Sequence, residues 1–403
     1  MRGCNPFVNK NVFKHLINVS IILYIYIMKL TLKIKLLPAD EQKQLIIDTM
    51  KEVNTVCNAI SNIAWERKVF NQFKIHKEVY HPFKNTFNLS AQMLVRAISK
   101  VADSYKIDKK VKRKFRLLGG ITYDSRILTY KPNNIVSIWL IGGRSKIPFI
   151  CHNKKYIPYI KGEADLIYKK GKFYLFQTVD VPDEEIKDIE EFIGVDFGLT
   201  DIAVTSDGVV HSAKWLNNYR EKRQKVRSSI QSKGTKSSKR LLKRLSGKEK
   251  TTSNIINHTI SKSIIKSAKK QGKGIAIEDL TGIRFTSKKR NKKFRTKLGK
   301  WNFSQLRFFL EYKAKLNGVQ LVVAPPAYTS QICSSCNHIG KRINKVFKCT
   351  NKNCEVDTID ADLNASYNIA SLGASINKPE SSSMFCFLHN ILSSKIHTSL
   401  VCE

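Results

Sequence analysis

Between residues 333 and 370 the chain reads CSSCNHIGKRINKVFKCTNKNCEVDTIDADLNASYNIA. Two residues separate Cys333 from Cys336 and four separate Cys349 from Cys354, with a short polar hairpin between the pairs. Four thiolates so spaced can wrap one tetrahedral Zn²⁺ with bonds of about 2.3 Å, and a four-sulfur set leaves no opening for substrate. His338 is read as a polar loop residue rather than a ligand. The other cysteines (Cys4, Cys57, Cys151, Cys386, Cys402) are scattered, which suits a reducing compartment better than a disulfide framework.

Carboxylates form the second constellation. Asp196 lies inside the apolar run IGVDFGLT, and Glu278 inside IAIEDL. An acid in such a strand is costly to bury unless it is paired or bound to a cation. Asp362 stands in TIDADLNA at the start of the last expected helix, and three such acids on one sheet suit a divalent cation held through oxygen. Asp360 reads as a helix cap. Asp279 should point away from Glu278, because strand side chains alternate.

The elements that must position these residues fall into two groups. MKLTLKIKLLP, from Met28, alternates as a strand, and two helices follow: the stretch after Pro38, with Val53, Val56, Cys57, Ile60 and Ile63 at helical spacing, and LSAQMLVRAISKVADSYK. The basic run Lys109–Arg116 closes them. IVSIWLI, KIPFI, ADLIYKK and KFYLFQTVDV then read as strands, the last two joined by a tight turn at Gly171. This first half is a β-barrel or sandwich with helices inserted after its first strand. From Phe192, FIGVDFGLTDIAVTSDGVV reads as two strands, followed by a long basic helical region, the strand GIAIEDL, the helix FSQLRFFLEYKAKL, the strand VQLVVAPP and the last helix. That order is α/β: a mixed sheet covered by helices.

Composition limits the partners. The 403 residues include 71 Lys+Arg against 32 Asp+Glu, a formal charge of +39, with an ordinary 42% hydrophobic content. Such a field favours polyanions, so nucleic acid is the expected partner. The apolar segment Leu16–Ile27 is shorter than the roughly 20 residues of a membrane helix, and no small-residue cleavage site follows it. Residues 1–27 are therefore read as an upstream extension, with translation starting at Met28; no membrane partner is expected.

Asp196 in GVDFGLTDIAVTSDG, Glu278 in GIAIEDLTGIR and Asp362 in DADLNASYNIA resemble the three motifs of a RuvC-like nuclease of RNase H fold. Their order and spacing, with the four-cysteine insertion before the third, resemble the TnpB (OrfB) family of insertion-sequence-encoded proteins, relatives of the type V CRISPR effectors. TYDSRILTYK, SIWLIGGRSKIPF, YLFQTVDV, KGTKSSKRLLKRLSGKE, RFFLEYKAKLNGV and YTSQICSSC extend the resemblance from Met28 to about Gly373. The four-residue gap between Cys349 and Cys354 departs from the commoner two.

The resemblance implies an α+β multidomain chain. A β-barrel over residues 28–190, with a helical insertion at about 39–115, precedes a RuvC-like domain over 191–372 with its zinc-binding insertion at about 331–357. The Ser-rich residues 373–403 are read as a flexible tail with no counterpart in the family. The resemblance further implies that Asp196, Glu278 and Asp362 hold two Mg²⁺ or Mn²⁺ ions, with Asp196 bridging, for hydrolysis of a DNA phosphodiester. The implied partners are a guide RNA from the transposon end and double-stranded target DNA, with the barrel half, Thr286–Lys297 and the cations Lys341, Arg342 and Lys345 along the nucleic-acid path. The expected location is the cytoplasm, at the nucleoid in a prokaryotic host. Two other functions share these features: a nuclease-inactive RNA-guided DNA-binding regulator and a strand-transfer recombinase.

Overall fold

The structure, a computed structural model, describes residues 27–186, 189–283 and 291–377. The expected extension up to residue 26, the basic residues up to Arg290 and the tail from residue 378 lie outside the described residues. The chain divides into two compact units, Met1–Pro182 and Asp183–Glu403. This division falls ahead of the boundary expected at residue 190. No helix among the described residues is long and apolar enough to cross a membrane.

In the first unit, β1 (Ile27–Leu36) starts one residue before Met28 and buries Leu32, Ile34 and Leu36 on one face. Three helices follow: α1 (Asp40–Glu66), α2 (Gln72–Thr86) and α3 (Ala91–Ile107). Sequence periodicity misses α2, which buries just Ile75 and Val79 and contains Pro82; its start is held by Asn71, whose side chain accepts from the N–H groups of Phe73 and Lys74. The strands β2 (Ile121–Tyr123), β3 (Leu128–Lys131), β4 (Ile135–Leu140), β5 (Gly143–Cys151), β6 (Ile160–Lys169) and β7 (Lys172–Pro182) complete an antiparallel sheet in the order β2-β6-β7-β1-β5-β4-β3. Lys170 and Gly171, both at positive φ, make the two-residue turn between β6 and β7. The edge strands β2 and β3 are joined by residues 124–127 alone, and the Tyr123 hydroxyl donates to the Trp139 carbonyl of β4 at 3.0 Å. The sheet therefore curls into a nearly closed barrel. The basic run Lys109–Arg116 adds no strand or helix. Asn58 exchanges two hydrogen bonds with Phe115, and the Ser61 hydroxyl donates to the Arg113 carbonyl, so α1 clamps the backbone and the lysines stay exposed.

The second unit opens with three strands, not the two expected, because residues 197–200 turn the chain between β8 (Phe192–Asp196) and β9 (Asp201–Thr205) before β10 (Val210–Ser212). Helices α4 (Lys214–Ser232), α5 (Lys236–Leu245) and α6 (Lys248–Gln271) precede β11 (Gly274–Glu278). Then come α7 (Lys292–Lys300), α8 (Phe303–Leu316), β12 (Leu321–Ala324), the small strands β13 (Lys341–Ile343), β14 (Val346–Lys348) and β15 (Thr358–Asp360), and α9 (Ala361–Asn377). The main sheet runs β10-β9-β8-β11-β12; β11 is parallel to β8 and β12, and β9 is antiparallel to its neighbours.

Alternation along β8 and β11 sorts the two faces of this sheet. Ile193, Val195, Ile275 and Ile277 pack with Ile264, Leu306 and Leu310 of α6 and α8. Phe192 and Ala276 face the other way and pack with Ile369 of α9. A Cβ at Gly194 would lie 1.9 Å from the Ser366 carbonyl oxygen and 2.5 Å from the Ala370 nitrogen, and one at Gly373 2.5 Å from the Ala276 Cβ. The two glycines let α9 lie close on the sheet. Gly373 is therefore a packing residue, and the helix continues four residues past the start expected for the tail. Gly194→Ala should force α9 outward at a cost of roughly 1–3 kcal/mol, as overpacking does. Thermal unfolding measures this, and an unchanged Tm would contradict the close packing.

Candidate functional site

The same alternation builds the acidic site. Asp196 ends β8 and Glu278 ends β11, neighbouring parallel strands in which Val195 pairs with Ile277. Both carboxyls thus share the face of Gly194 and Ala276, the face covered by α9. Asp362 lies in the first turn of α9 and is buried, as is Glu278. The sheet and the helix converge where all three acids stand.

Electrostatics report the convergence. Burial, then the charges of Glu278 and Asp362, push the Asp196 carboxyl up to about 8. Glu278 is also raised by burial, against the Thr329 hydroxyl that donates to it and the nearby Arg342 charge. Acids held this way are short of positive charge, and hard oxygen donors of that kind fit a divalent cation. Asp360 behaves as a cap: its Oδ1 accepts from the N–H groups of Asp362 and Leu363, each at 3.0 Å. Asp279 points away, to Arg307 at 2.9 Å and to Thr281.

Two cations read in the sequence as lying along a nucleic-acid path are part of the acidic site itself. Arg342, on β13, donates to Asp362 Oδ1 at 2.6 Å, and its charge partly opposes the rise at Asp196 and Glu278. Lys345 pairs with Asp201 and lies 3.6 Å from Asp362. Asp201 is a buried acid in the strand segment TDIAV. Its signal, a carboxylate in an apolar strand, is the one that singled out Asp196.

The hairpin that carries these cations is stapled by the cysteines. Their four sulfurs all lie within 4.8 Å of one another, with Cys333 and Cys354 3.8 Å apart and Cys336 and Cys349 3.6 Å apart. A tetrahedron of Zn–S bonds of about 2.3 Å has edges of ~3.8 Å, whereas a disulfide is about 2.05 Å long. The arrangement fits Zn²⁺. Around it the Cys333 N–H donates to the His338 carbonyl at 2.8 Å, with Asn337 at positive φ, and the Asn351 N–H points at the Cys349 sulfur at 3.4 Å. Phe347 is fully buried beneath the cysteines.

Hydrogen bonds join staple and helix. Val346 of β14 pairs with Asp360 of β15, and the Ala361 N–H donates to the Lys345 carbonyl at 2.8 Å. Asn364 and Asn368 of α9, both buried, donate to the carbonyls of Thr329 and Ile332 that lead into the first cysteine pair. The asparagines of DLNASYN therefore hold the cysteine loop, while Asp362 beside them faces the acids.

Residues 303–369 match the family described as Cas12f1-like, TNB domain. The chain is 37% identical over 153 residues to the TnpB-like protein MJ0751 of Methanocaldococcus jannaschii, covering 38% of this chain and 54% of that protein. It is 30% identical over 224 residues to the CRISPR-associated endodeoxyribonuclease Cas12f1 of Sulfoacidibacillus thermotolerans, covering half of each. The chain thus spans about half the length of the curated relatives it matches. Among solved structures it resembles a Cas12f1–sgRNA–target DNA complex, with a TM-score of 0.55 and 14% identity over 85% of this chain and 99% of that one, a likeness of fold. Placed beside the four-cysteine staple and the helix it positions, these matches make the chain similar to TnpB-like and Cas12f proteins.

Proposed function

We propose that this protein is a transposon-encoded, RNA-guided DNA endonuclease whose second unit is an RNase H-like, RuvC-type nuclease domain. Asp196, Glu278 and Asp362 are its metal-binding acids, and Cys333, Cys336, Cys349 and Cys354 hold a structural Zn²⁺. The observation that carries this reading is the convergence of three acids on the α9 face of a mixed sheet, with Asp196 driven up to about 8. When bound, two Mg²⁺ or Mn²⁺ ions supply an activated water and offset charge on the scissile phosphate and its leaving oxygen.

The chain's own residues do the rest. Parallel β8 and β11 hold Asp196 and Glu278 side by side, and the Thr329 hydroxyl orients Glu278. Arg342 and Lys345 bring positive charge to the side of Asp362, where a phosphate would otherwise meet three negative groups. The net charge of +39 supports a large polyanion as partner. The names of the relatives support DNA as the substrate, and the Cas12f1 complex supports guide RNA as the second partner, here taken from the transposon end.

A plasmid nicking and cleavage assay, run with and without the co-purified RNA and with EDTA, tests the proposal. RNA-dependent, EDTA-sensitive cutting is expected. Binding without cutting would make the protein a regulator, joined products would make it a recombinase, and cutting in EDTA would remove the metal mechanism.

A further inference from the structure

Helix α4 has two unlike faces. Leu216, Asn217, Arg220 and Gln224 line a cavity of about 510 Å³ against the core. On another side, Trp215 is 63% exposed and stacks on Tyr219 one turn later, with ring centroids 5.5 Å apart and planes 5° from parallel. An exposed indole stacked on a second ring offers a flat face on which another ring can stack.

The surroundings give the contact its chemistry. From Lys214 to Leu245 the chain has twelve basic residues and one acid, Glu221. The α4–α5 pair is held together partly by Arg223, which donates to the Leu245 carbonyl at 3.0 Å. Lys222, Lys225, Arg227, Lys239 and Arg240 are exposed, and among the described residues no carboxylate pairs with them. A flat aromatic pair amid uncompensated cations is complementary to unpaired bases on a phosphate backbone. A duplex offers the phosphates and keeps its base faces stacked.

The position of the helix favours one strand. The Ala213 N–H donates to the Thr200 carbonyl at 3.0 Å, and the Asn217 side chain donates to the Leu199 carbonyl at 3.1 Å. The first turn of α4 is thus anchored to the short loop that leaves Asp196. We infer that Trp215 and Tyr219 form a stacking platform for an unpaired base of the DNA strand that enters the acidic site, with the α4–α5 cations gripping its backbone. This rests on the nuclease reading for the identity of the strand, and it assigns a binding role to residues outside the acids and the zinc hairpin.

The test measures binding by the full-length protein in buffer without Mg²⁺, Mn²⁺ or chelator, so that its outcome does not depend on cleavage or on the acids and the zinc staple stays loaded. The probes are a labelled single-stranded DNA of about 12 nucleotides, within the usual site size, the corresponding duplex, and an RNA strand of the same sequence. Trp215→Ala should weaken single-stranded DNA binding ~10-fold, the scale of one lost base stack, and leave duplex binding unchanged. Trp215→Phe should keep most of the affinity. The salt dependence should survive Trp215→Ala and become shallower in Lys222→Gln, because only the lysine releases counterions. Wild-type affinity in Trp215→Ala, equal losses on strand and duplex, or a Trp215 dependence seen with RNA alone would overturn the platform.

Discussion

Asp196→Ala, Glu278→Ala and Asp362→Ala should each abolish DNA cleavage while leaving nucleic-acid binding nearly intact. Metal-assisted charge stabilisation is worth several kcal/mol in such a reaction, so losses of ~10³-fold or more are expected. Binding should persist because the acids carry the wrong charge to hold a phosphate unaided. Stability supplies an independent readout. In the absence of divalent cations the cluster buries acids with Arg342 and Lys345 as the nearby cations, and an under-compensated buried charge is unfavourable. Mg²⁺ should therefore raise the Tm of the wild type by mass action on the folded state, and this rise should shrink in Asp196→Ala. Full cutting by the Asp362→Ala variant would remove that residue from the site. A Mg²⁺-dependent Tm rise retained by all three variants would place the cation elsewhere.

Cys349→Ser should lower zinc content from about one ion per chain and destabilise the hairpin. Structural zinc contributes on the order of 10 kcal/mol in small metal-folded units, comparable to the whole stability of a domain. The damage should then reach the acidic site by a specific route. β14 and β15 align Val346 with Asp360, the Lys345 carbonyl holds the Ala361 N–H, and Asp362 follows at once. Losing the staple frees Arg342 and Lys345 from the acids and loosens the first turn of α9. Metal analysis and cleavage should fall together in Cys349→Ser, whereas Asp362→Ala should lose cleavage and keep its zinc. An active, folded preparation without zinc would show that the four sulfurs serve another purpose.

Much of this was readable from residue order. The four cysteines announced themselves through local spacing, and Asp196 and Glu278 stood out because a carboxylate inside an apolar strand is costly to bury. The barrel strands alternate cleanly, and β7 buries every second residue from Phe173 to Val181. Such signals are local: one side chain, one turn or one strand contains them. What local order did not reveal depends on contacts between distant segments. Gly373 opens the expected tail, yet it lies within α9 and packs against Ala276, nearly a hundred residues earlier, where a Cβ would find no room. Helix α2 went unseen because it buries two side chains and spans a proline, too little periodicity to register. Arg342, Lys345 and Asp201 became site residues only when the cysteine hairpin folded onto β9 and α9. A cation's partner is set by where the chain returns in space, and a linear pattern of charges contains no record of that distance.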